Sequence, residues 1–323
     1  MKLVSVKSGV LEVLEKNRGD YVSGEALAEQ LSCSRTAVWK AVKGLREEGY
    51  QISSVTNRGY LLEEGNDILS AEGVCQALGT EAIPVYVYKE VDSTNVCLRQ
   101  KLVNHPELFP GEAAVLAEAQ TKGKGRSGRG FSSPTGDGLY MSILVRPGKS
   151  VRESLCIRAA AAVAVYRGVK KVLGIDLAIQ WVNDLYYQEH KVCGILTEAA
   201  EDFETGDIAY AIVGIGLRLF DSDQGDRGIF TRDSPRVDRN LLAAEIIRAF
   251  LEEAPREEIS HLYRERSQQP GSSTVLVRDG RRERITVREI LEDGRLVAEH
   301  ESGLEEILTY GETVPEEETV MSR

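Results

Sequence analysis

Between two apolar runs, residues 113–119 and 139–145, lies the segment Gly123-Lys124-Gly125-Arg126-Ser127-Gly128-Arg129-Gly130. It holds four glycines, and with Lys122 it carries four basic residues and no acidic one. Glycine at this density cannot continue a helix or a strand, but it lets the backbone turn tightly and present N–H groups to an anion. Lysine and arginine add charge-assisted bonds to carboxylate or phosphate oxygens. The spacing is not G-x-x-x-x-G-K-[ST], and no helical period follows directly, so neither a Walker loop nor a dinucleotide-binding turn is present. Two readings remain: a solvated surface loop, or a flexible loop that orders over a bound anionic ligand, and the basic content favours the second.

The rest of the chain divides into three. With 323 residues it is long enough for two or three domains. Residues 1–62 carry nine Lys or Arg against seven Asp or Glu, in a chain whose net charge is −11, which permits one DNA-binding module and excludes general nucleic-acid coating. Leu11, Val13 and Leu14 mark a first helix, and Ser23 and Ser34 are placed to cap two more. In the last, Ala37, Val38, Ala41, Val42 and Leu45 form an apolar stripe, while Arg35, Thr36, Trp39, Lys40 and Lys43 face away from it. Two short helices with a basic second face describe a helix-turn-helix, and residues 51–62, alternating around Asn57-Arg58-Gly59, supply a hairpin wing. Ser34, Arg35, Thr36, Trp39, Lys40, Lys43 and Arg58 are therefore the candidate DNA contacts. The alternative is a helical domain that binds no DNA, with Trp39 packed on a neighbour.

Residues 66–268 mix strand-like runs (85–88, 113–119, 139–145, 177–182, 192–198, 208–219) with helical ones (153–173, 240–253). Short gaps between strands favour an antiparallel or mixed α+β sheet over a doubly wound parallel one. Residues 269–323 hold four short β runs with turns at Asp279-Gly280 and Asp293-Gly294, which reads as a small SH3-like β-barrel with an acidic, frayed end. The expected domains are thus 1–65, 66–268 and 269–323. No apolar window approaches the roughly 18 residues of a membrane helix, and the first residues lack a signal-peptide core. Five scattered cysteines with no C-x-x-C pair argue against a disulfide framework or a zinc site. These features set the expectation of a cytoplasmic protein with no membrane partner and no metal held by the protein alone.

Four further segments surround the glycine loop in sequence: Ser93-Thr94-Asn95, Gln120, Gln180-Trp181-Val182-Asn183-Asp184, and Lys191-Val192-Cys193-Gly194-Ile195-Leu196, followed by Val213-Gly214-Ile215-Gly216. In this order, behind a winged helix, the set resembles the bifunctional biotin–protein ligase and biotin-operon repressor family over almost the whole chain. The glycine loop, the Trp-x-Asn-Asp strand and the Ser-Thr-Asn are specific in combination. The resemblance implies a class II synthetase/biotin–lipoate ligase-like central domain that turns biotin and ATP, with Mg²⁺, into biotinyl-5′-adenylate. The acyl group then passes to a lysine on the biotin carrier domain of a carboxylase such as acetyl-CoA carboxylase. It also implies operator DNA as a partner and a homodimer in the adenylate-bound form.

By the same similarity, Ser93, Thr94, Asn95, Gln120, Lys124, Gly125, Arg126, Gln180 and Gly194 line the biotin site. Trp181, Asn183, Asp184 and Arg129 take the nucleotide, and Lys124, Arg126 and Gln180 sit at the catalytic position. Each keeps a plainer alternative: core packing for Trp181, a structural turn for Asn183 and Asp184, an ordinary strand glycine for Gly194. The residue chemistry agrees with biotin, whose ureido ring offers two N–H donors and one carbonyl. Short Ser, Thr, Asn and Gln side chains donate and accept to match it, where each unmet buried group costs about 1–3 kcal/mol.

The chain departs from the family pattern at three places. Gln180 stands where the family has a lysine, Arg218 follows Gly216-Leu217 where it usually has asparagine, and Phe131 replaces a tryptophan after the loop. Losing one transition-state donor typically costs on the order of 10²–10³ in rate, so a ligase-impaired biotin-sensing regulator stands beside the active ligase-repressor. A lipoate ligase relative is the third reading; its apolar dithiolane pocket fits the Ser/Thr/Asn/Gln cluster poorly.

Overall fold

The structure is a computed structural model that describes residues 5–79, 83–125, 128–146, 154–201, 204, 208–223, 225–252, 256–267, 270–278 and 280–314. The chain forms two compact units, residues 1–87 with 235–244, and residues 88–234 with 245–323.

In the first unit α1 (Val6–Lys16), α2 (Gly24–Gln30) and α3 (Arg35–Glu47) each begin at a serine. Ser5, Ser23 and Ser34 accept from the backbone N–H groups of Ser8, Ala26 and Ala37, satisfying donors that a helix start leaves open. Four of the five predicted stripe residues are buried: Val38, Ala41, Val42 and Leu45 pack with Val10, Leu14 and Leu27 in one core, while Ala37 is half-buried. Strands β1 (Ile52–Val55) and β2 (Gly59–Leu62) pair antiparallel around a turn in which Asn57 takes a φ of 66°. This is the expected wing. Helix α4 (Ala71–Leu78), which the sequence pattern did not reveal, packs on α1. Ser70 at its start caps Gly73 N–H and donates its own N–H to Asn240 Oδ1.

The second unit is built on a seven-stranded sheet in the order β3-β4-β5-β9-β8-β7-β6. The strands are β3 (Val85–Val91), β4 (Ala113–Gln120), β5 (Gly138–Val145), β6 (Ala178–Gln180), β7 (Asp184–Tyr187), β8 (His190–Glu201) and β9 (Ile208–Arg218). The ladders joining β4, β5, β9, β8, β7 and β6 are all antiparallel, as expected from the short gaps. Helix α5 (Thr94–Asn104), missed from sequence, packs on β4, β5 and β9, while α6 (Ser154–Leu173) packs on β7, β8 and α8 (Arg256–Arg266). Helix α7 (Arg239–Leu251) precedes α8. The predicted strand through Trp181 is instead a hairpin. Gln180 pairs with Asp184, and residues 181–183 turn between β6 and β7.

The C-terminal segment is a five-stranded antiparallel sheet, ordered β13-β12-β11-β10-β14, of β10 (Ser273–Arg278), β11 (Arg281–Ile290), β12 (Leu296–His300), β13 (Glu305–Leu308) and β14 (Glu312–Val314). The sequence suggested four strands closed into a barrel. The fifth is the three-residue β14, too short to show an alternating pattern, and among the described residues no ladder joins it to β13. The sheet therefore stays open. No helix among the described residues is long and apolar enough to cross a membrane.

Candidate functional site

The side-chain period of two along a strand sets the floor of the site. Register places Gly194 opposite Gly216, Leu196 opposite Gly214, and Gly214 opposite Ser142, all on one face of the sheet. Ile195, Ile215, Ile143 and Val213 point to the other face and are buried. The glycines leave room for what lies above them. A Cβ on Gly214 would stand 2.3 Å from Asn95 Oδ1, and one on Gly216 would stand 2.5 Å from Phe131 Cε1. The Val213-Gly214-Ile215-Gly216 motif is thus a strand with a side-chain-free face under α5 and the loop.

Over this floor sits an open cavity walled by Ser93, Thr94 and Asn95 at the start of α5, Gln120 at the end of β4, Lys124 and Gly125 of the loop, Phe131, Asp184 and Lys191. A hydrogen-bond chain fixes its polar wall. Thr94 N–H donates to Gln120 Oε1 (2.9 Å), and Gln120 Nε2 donates to Ser133 Oγ (2.8 Å). Asn95 Nδ2 donates to Glu198 Oε2 (2.7 Å), which also pairs with Arg99 (2.5 Å). The buried Ser142 hydroxyl lies 2.7 Å from Thr94 Oγ1 and 2.6 Å from Asn95 Oδ1. Ser93 occupies the N-cap position of α5 but makes no capping bond. It lines the cavity instead.

Phe131 closes one side. Its ring meets Tyr140 edge-on at 6.4 Å between centroids, and the Arg218 guanidinium stacks on it at 4.8 Å. Arg218 also pairs with Asp226 at 3.3 Å, so it braces the aromatic wall from behind. Two of the family departures, Phe131 and Arg218, therefore touch each other.

The structure does not bring Gln180 and Trp181 to this wall. Gln180 Nε2 donates to Thr313 Oγ1 (2.9 Å), and Thr313 Oγ1 donates to the Trp181 carbonyl (2.7 Å). The Trp181 ring is fully buried, with Nε1 donating to the Gly294 carbonyl (2.8 Å). Both side chains join β6 to the C-terminal sheet, the core-packing alternative foreseen for Trp181. Asn183 and Arg129 border a second open cavity with Arg158, Thr197, Arg278 and Glu312. Asn183 Nδ2 donates to Ile195 O (2.9 Å), while its buried Oδ1 has no hydrogen-bond partner among the described residues. Arg129 pairs with Glu312 at 3.2 Å. Ile195 and Leu196 border both cavities. Arg126 lies outside the described residues.

Sequence reasoning missed Ser133, Ser142 and Glu198, which hold the polar wall from behind. The β5 alternation offered only a buried serine in an apolar strand as a signal. Burial pushes the Cys193 thiol up, which keeps it protonated and unfit as a nucleophile. In the helical unit all seven candidate DNA contacts are exposed. Trp39 is 54% exposed, with the Lys43 ammonium 5.8 Å above its ring, and Arg58 stacks on Tyr21 at 4.2 Å.

Residues 7–61 match an HTH domain, and residues 87–217 match the biotin/lipoate A/B protein ligase family. The chain is 33% identical over 236 residues to the bifunctional ligase/repressor BirA of Escherichia coli, covering 71% of each chain. It is 32% identical over 216 residues to BirA of Bacillus subtilis, where the match spans 67% of this chain and 65% of the relative. The structure of a biotin protein ligase from Aquifex aeolicus, in complex with biotin and ATP, superposes with a TM-score of 0.58 at 24% identity, covering 72% of this chain and 98% of that one; it shares the fold. The chain therefore belongs to the biotin/lipoate A/B protein ligase family, among the bifunctional ligase/repressors that carry a helix-turn-helix ahead of the ligase fold.

Proposed function

We propose that the chain is an active biotin–protein ligase (biotin–[acetyl-CoA-carboxylase] ligase) and a biotin-responsive repressor, with DNA reading in residues 1–65, ligation in 66–268 and the C-terminal sheet of 269–323 flanking the second cavity. The observation that carries the ligase half is the convergence of Ser93, Thr94, Asn95 and Gln120 over the Gly194, Gly214 and Gly216 floor. Their donors and acceptors match a cyclic urea, and the bare floor admits its fused ring. The biotin carboxylate then lies toward Lys124, Gly125 and the rest of the loop. In the first step a carboxylate oxygen attacks the α-phosphorus of ATP and pyrophosphate leaves. In the second a lysine amine of the carrier domain attacks the acyl carbon and AMP leaves. The orphaned Asn183 Oδ1 and the Arg129 guanidinium suit the nucleotide, with Mg²⁺ arriving on the triphosphate. Closure of the loop shields the mixed anhydride from water.

The test is biotin-dependent ATP–pyrophosphate exchange, followed by label transfer to a carrier domain. We expect exchange that requires biotin and is not supported by lipoate. No heat on titrating biotin, with or without nucleotide, at about millimolar concentration, where even a weak ligand occupies its site, would remove the pocket assignment. One observation favours the second reading, a ligase-impaired sensor: Gln180 has no charge and spends its amide on Thr313. That reading predicts biotin binding without exchange, and exchange regained in Gln180→Lys. The repressor half is a cytoplasmic homodimer on operator DNA, supported by the exposed basic face of α3 and the wing.

A further inference from the structure

We propose that Arg218 is a positioning residue: it seats the Phe131 ring, and with it the base of the glycine loop, on the glycine floor. This rests on the biotin-pocket part of the reading above. Residues two apart along a strand share a face, so Arg218 is the next side chain after Gly214 and Gly216 on the cavity side of β9. The bare floor ends at a guanidinium. The Phe131 ring lies across Gly216 and Gly194, which face each other in the ladder. A Cβ would stand 2.5 Å from Phe131 Cε1 at Gly216 and 3.7 Å from Phe131 Cε2 at Gly194. The Arg218 guanidinium covers this ring at 4.8 Å from its centroid. Its Nη2 pairs with Asp226 (3.3 Å) and its Nη1 donates to the Lys191 carbonyl (3.4 Å), while its buried Nε has no hydrogen-bond partner among the described residues. A buried donor left unmet is destabilising, so hydrogen bonding alone does not account for an arginine here. Stacking of its plane on the ring does. Phe131 in turn donates its N–H to the Gly123 carbonyl (2.9 Å), and its carbonyl accepts from Ser133 Oγ (3.1 Å). The ring that Arg218 holds is therefore the root of the loop. Phe131 and Arg218 are two of the three departures from the family pattern, and their contact makes them one unit. The guanidinium takes the room beside the smaller ring that an indole would fill.

The test is a double-mutant cycle on the full chain: wild type, Arg218→Asn, Phe131→Trp and Arg218→Asn/Phe131→Trp, with biotin affinity by calorimetry and fold by thermal melting. Arg218→Asn frees one side of the ring, and biotin should bind about 3–30-fold more weakly, the fold-change for a cation–π contact between partial and full desolvation. Phe131→Trp with the guanidinium still in place drives the larger ring into the cavity, and biotin should bind about tenfold more weakly or worse. Independent sites would multiply to about 30-fold or more. The double variant is expected within about threefold of wild type instead, because the indole fills the space that the guanidinium leaves. Arg218→Lys keeps the charge without the plane and should stay as weak as Arg218→Asn. Single effects that multiply in the double variant overturn the proposal, as does wild-type affinity in Arg218→Asn. Wild-type affinity in Arg218→Lys also overturns it, since charge alone would then suffice. So does a double variant that recovers its melting temperature but not its affinity, which would make the pair structural only. A wild type that binds no biotin removes the pocket reading itself, and calorimetry shows that outcome before any variant is compared.

Discussion

At the scale of residues, the site depends on what glycine leaves out. Alanine at 216 would place a methyl group within 2.6 Å of two carbons of the Phe131 ring, which Tyr140 and Arg218 hold on its other sides. The ring must move into or away from the cavity. We expect Gly216→Ala to weaken biotin binding by about tenfold or more, while costing about 1–3 kcal/mol in stability, as for overpacked sites. Calorimetric titration and a urea melt measure the two, and unchanged affinity would take Phe131 off the ligand wall. That Ser93, Thr94, Asn95 and Gln120 belong together was legible because their type and order carry the family resemblance, and the fold brings them to one cavity wall. The direction of Gln180 was not. Its identity is written in the chain, but its partner Thr313 is 133 residues away, and only the fold brings them together.

At the scale of elements, helix α3 and the wing were legible because caps, stripe and turn residues all lie within a short stretch and agree with one another. Helices α4 and α5 were not. Each has eight to eleven residues, and in α5 the apolar period is weak because its first turn is given to the site. For α3 the exposed Lys43 is expected to meet DNA phosphate. Lys43→Ala should weaken binding across sequences and reduce the salt slope by about 0.9, the value for one phosphate contact. Binding titrations at several salt concentrations read this directly, and an unchanged slope removes Lys43 from the interface.

The C-terminal sheet carries a pH dependence of its own. His300 is 2.6 Å from Glu283 and 3.0 Å from Glu306, and its bond with Glu283 above all raises its pKa against the opposing effect of burial. Its contribution is complete below its unfolded value of about 6.5 and is lost as pH rises through the higher folded value. Glu306 is held low, chiefly by the Arg278 hydrogen bonds, so its share is present above its ordinary range and fades as pH falls through the lowered value. Wild type should therefore lose urea resistance relative to His300→Gln on going from about pH 6 to about pH 9. Parallel curves would show that the histidine adds nothing.

At the scale of the whole molecule, the chain joins a DNA-reading unit to a ligand-binding one, and the repressor reading requires that each bias the other. Ligand occupancy alters operator affinity only if the bound and free forms differ in a state that DNA also distinguishes. The ligand-dependent dimer of the proposed repressor would be such a state, because a palindromic operator holds two recognition helices about one helical turn apart and rewards a pre-formed pair. Coupling free energies are reciprocal. If biotin with MgATP tightens operator binding by some factor, a saturating palindromic operator must tighten adenylate binding by that same factor, expected to be about 5–150-fold. Sedimentation should show the dimer growing with ligand. Adenylate titrations with and without operator DNA, selected from random sequence, should then give unequal affinities. Lys43→Ala should dimerise with ligand as wild type does while losing the benefit on DNA, since its charge acts on phosphate and not on the partner chain. Equal adenylate affinities with and without operator would mean that the two units share a chain without sharing a regulatory equilibrium.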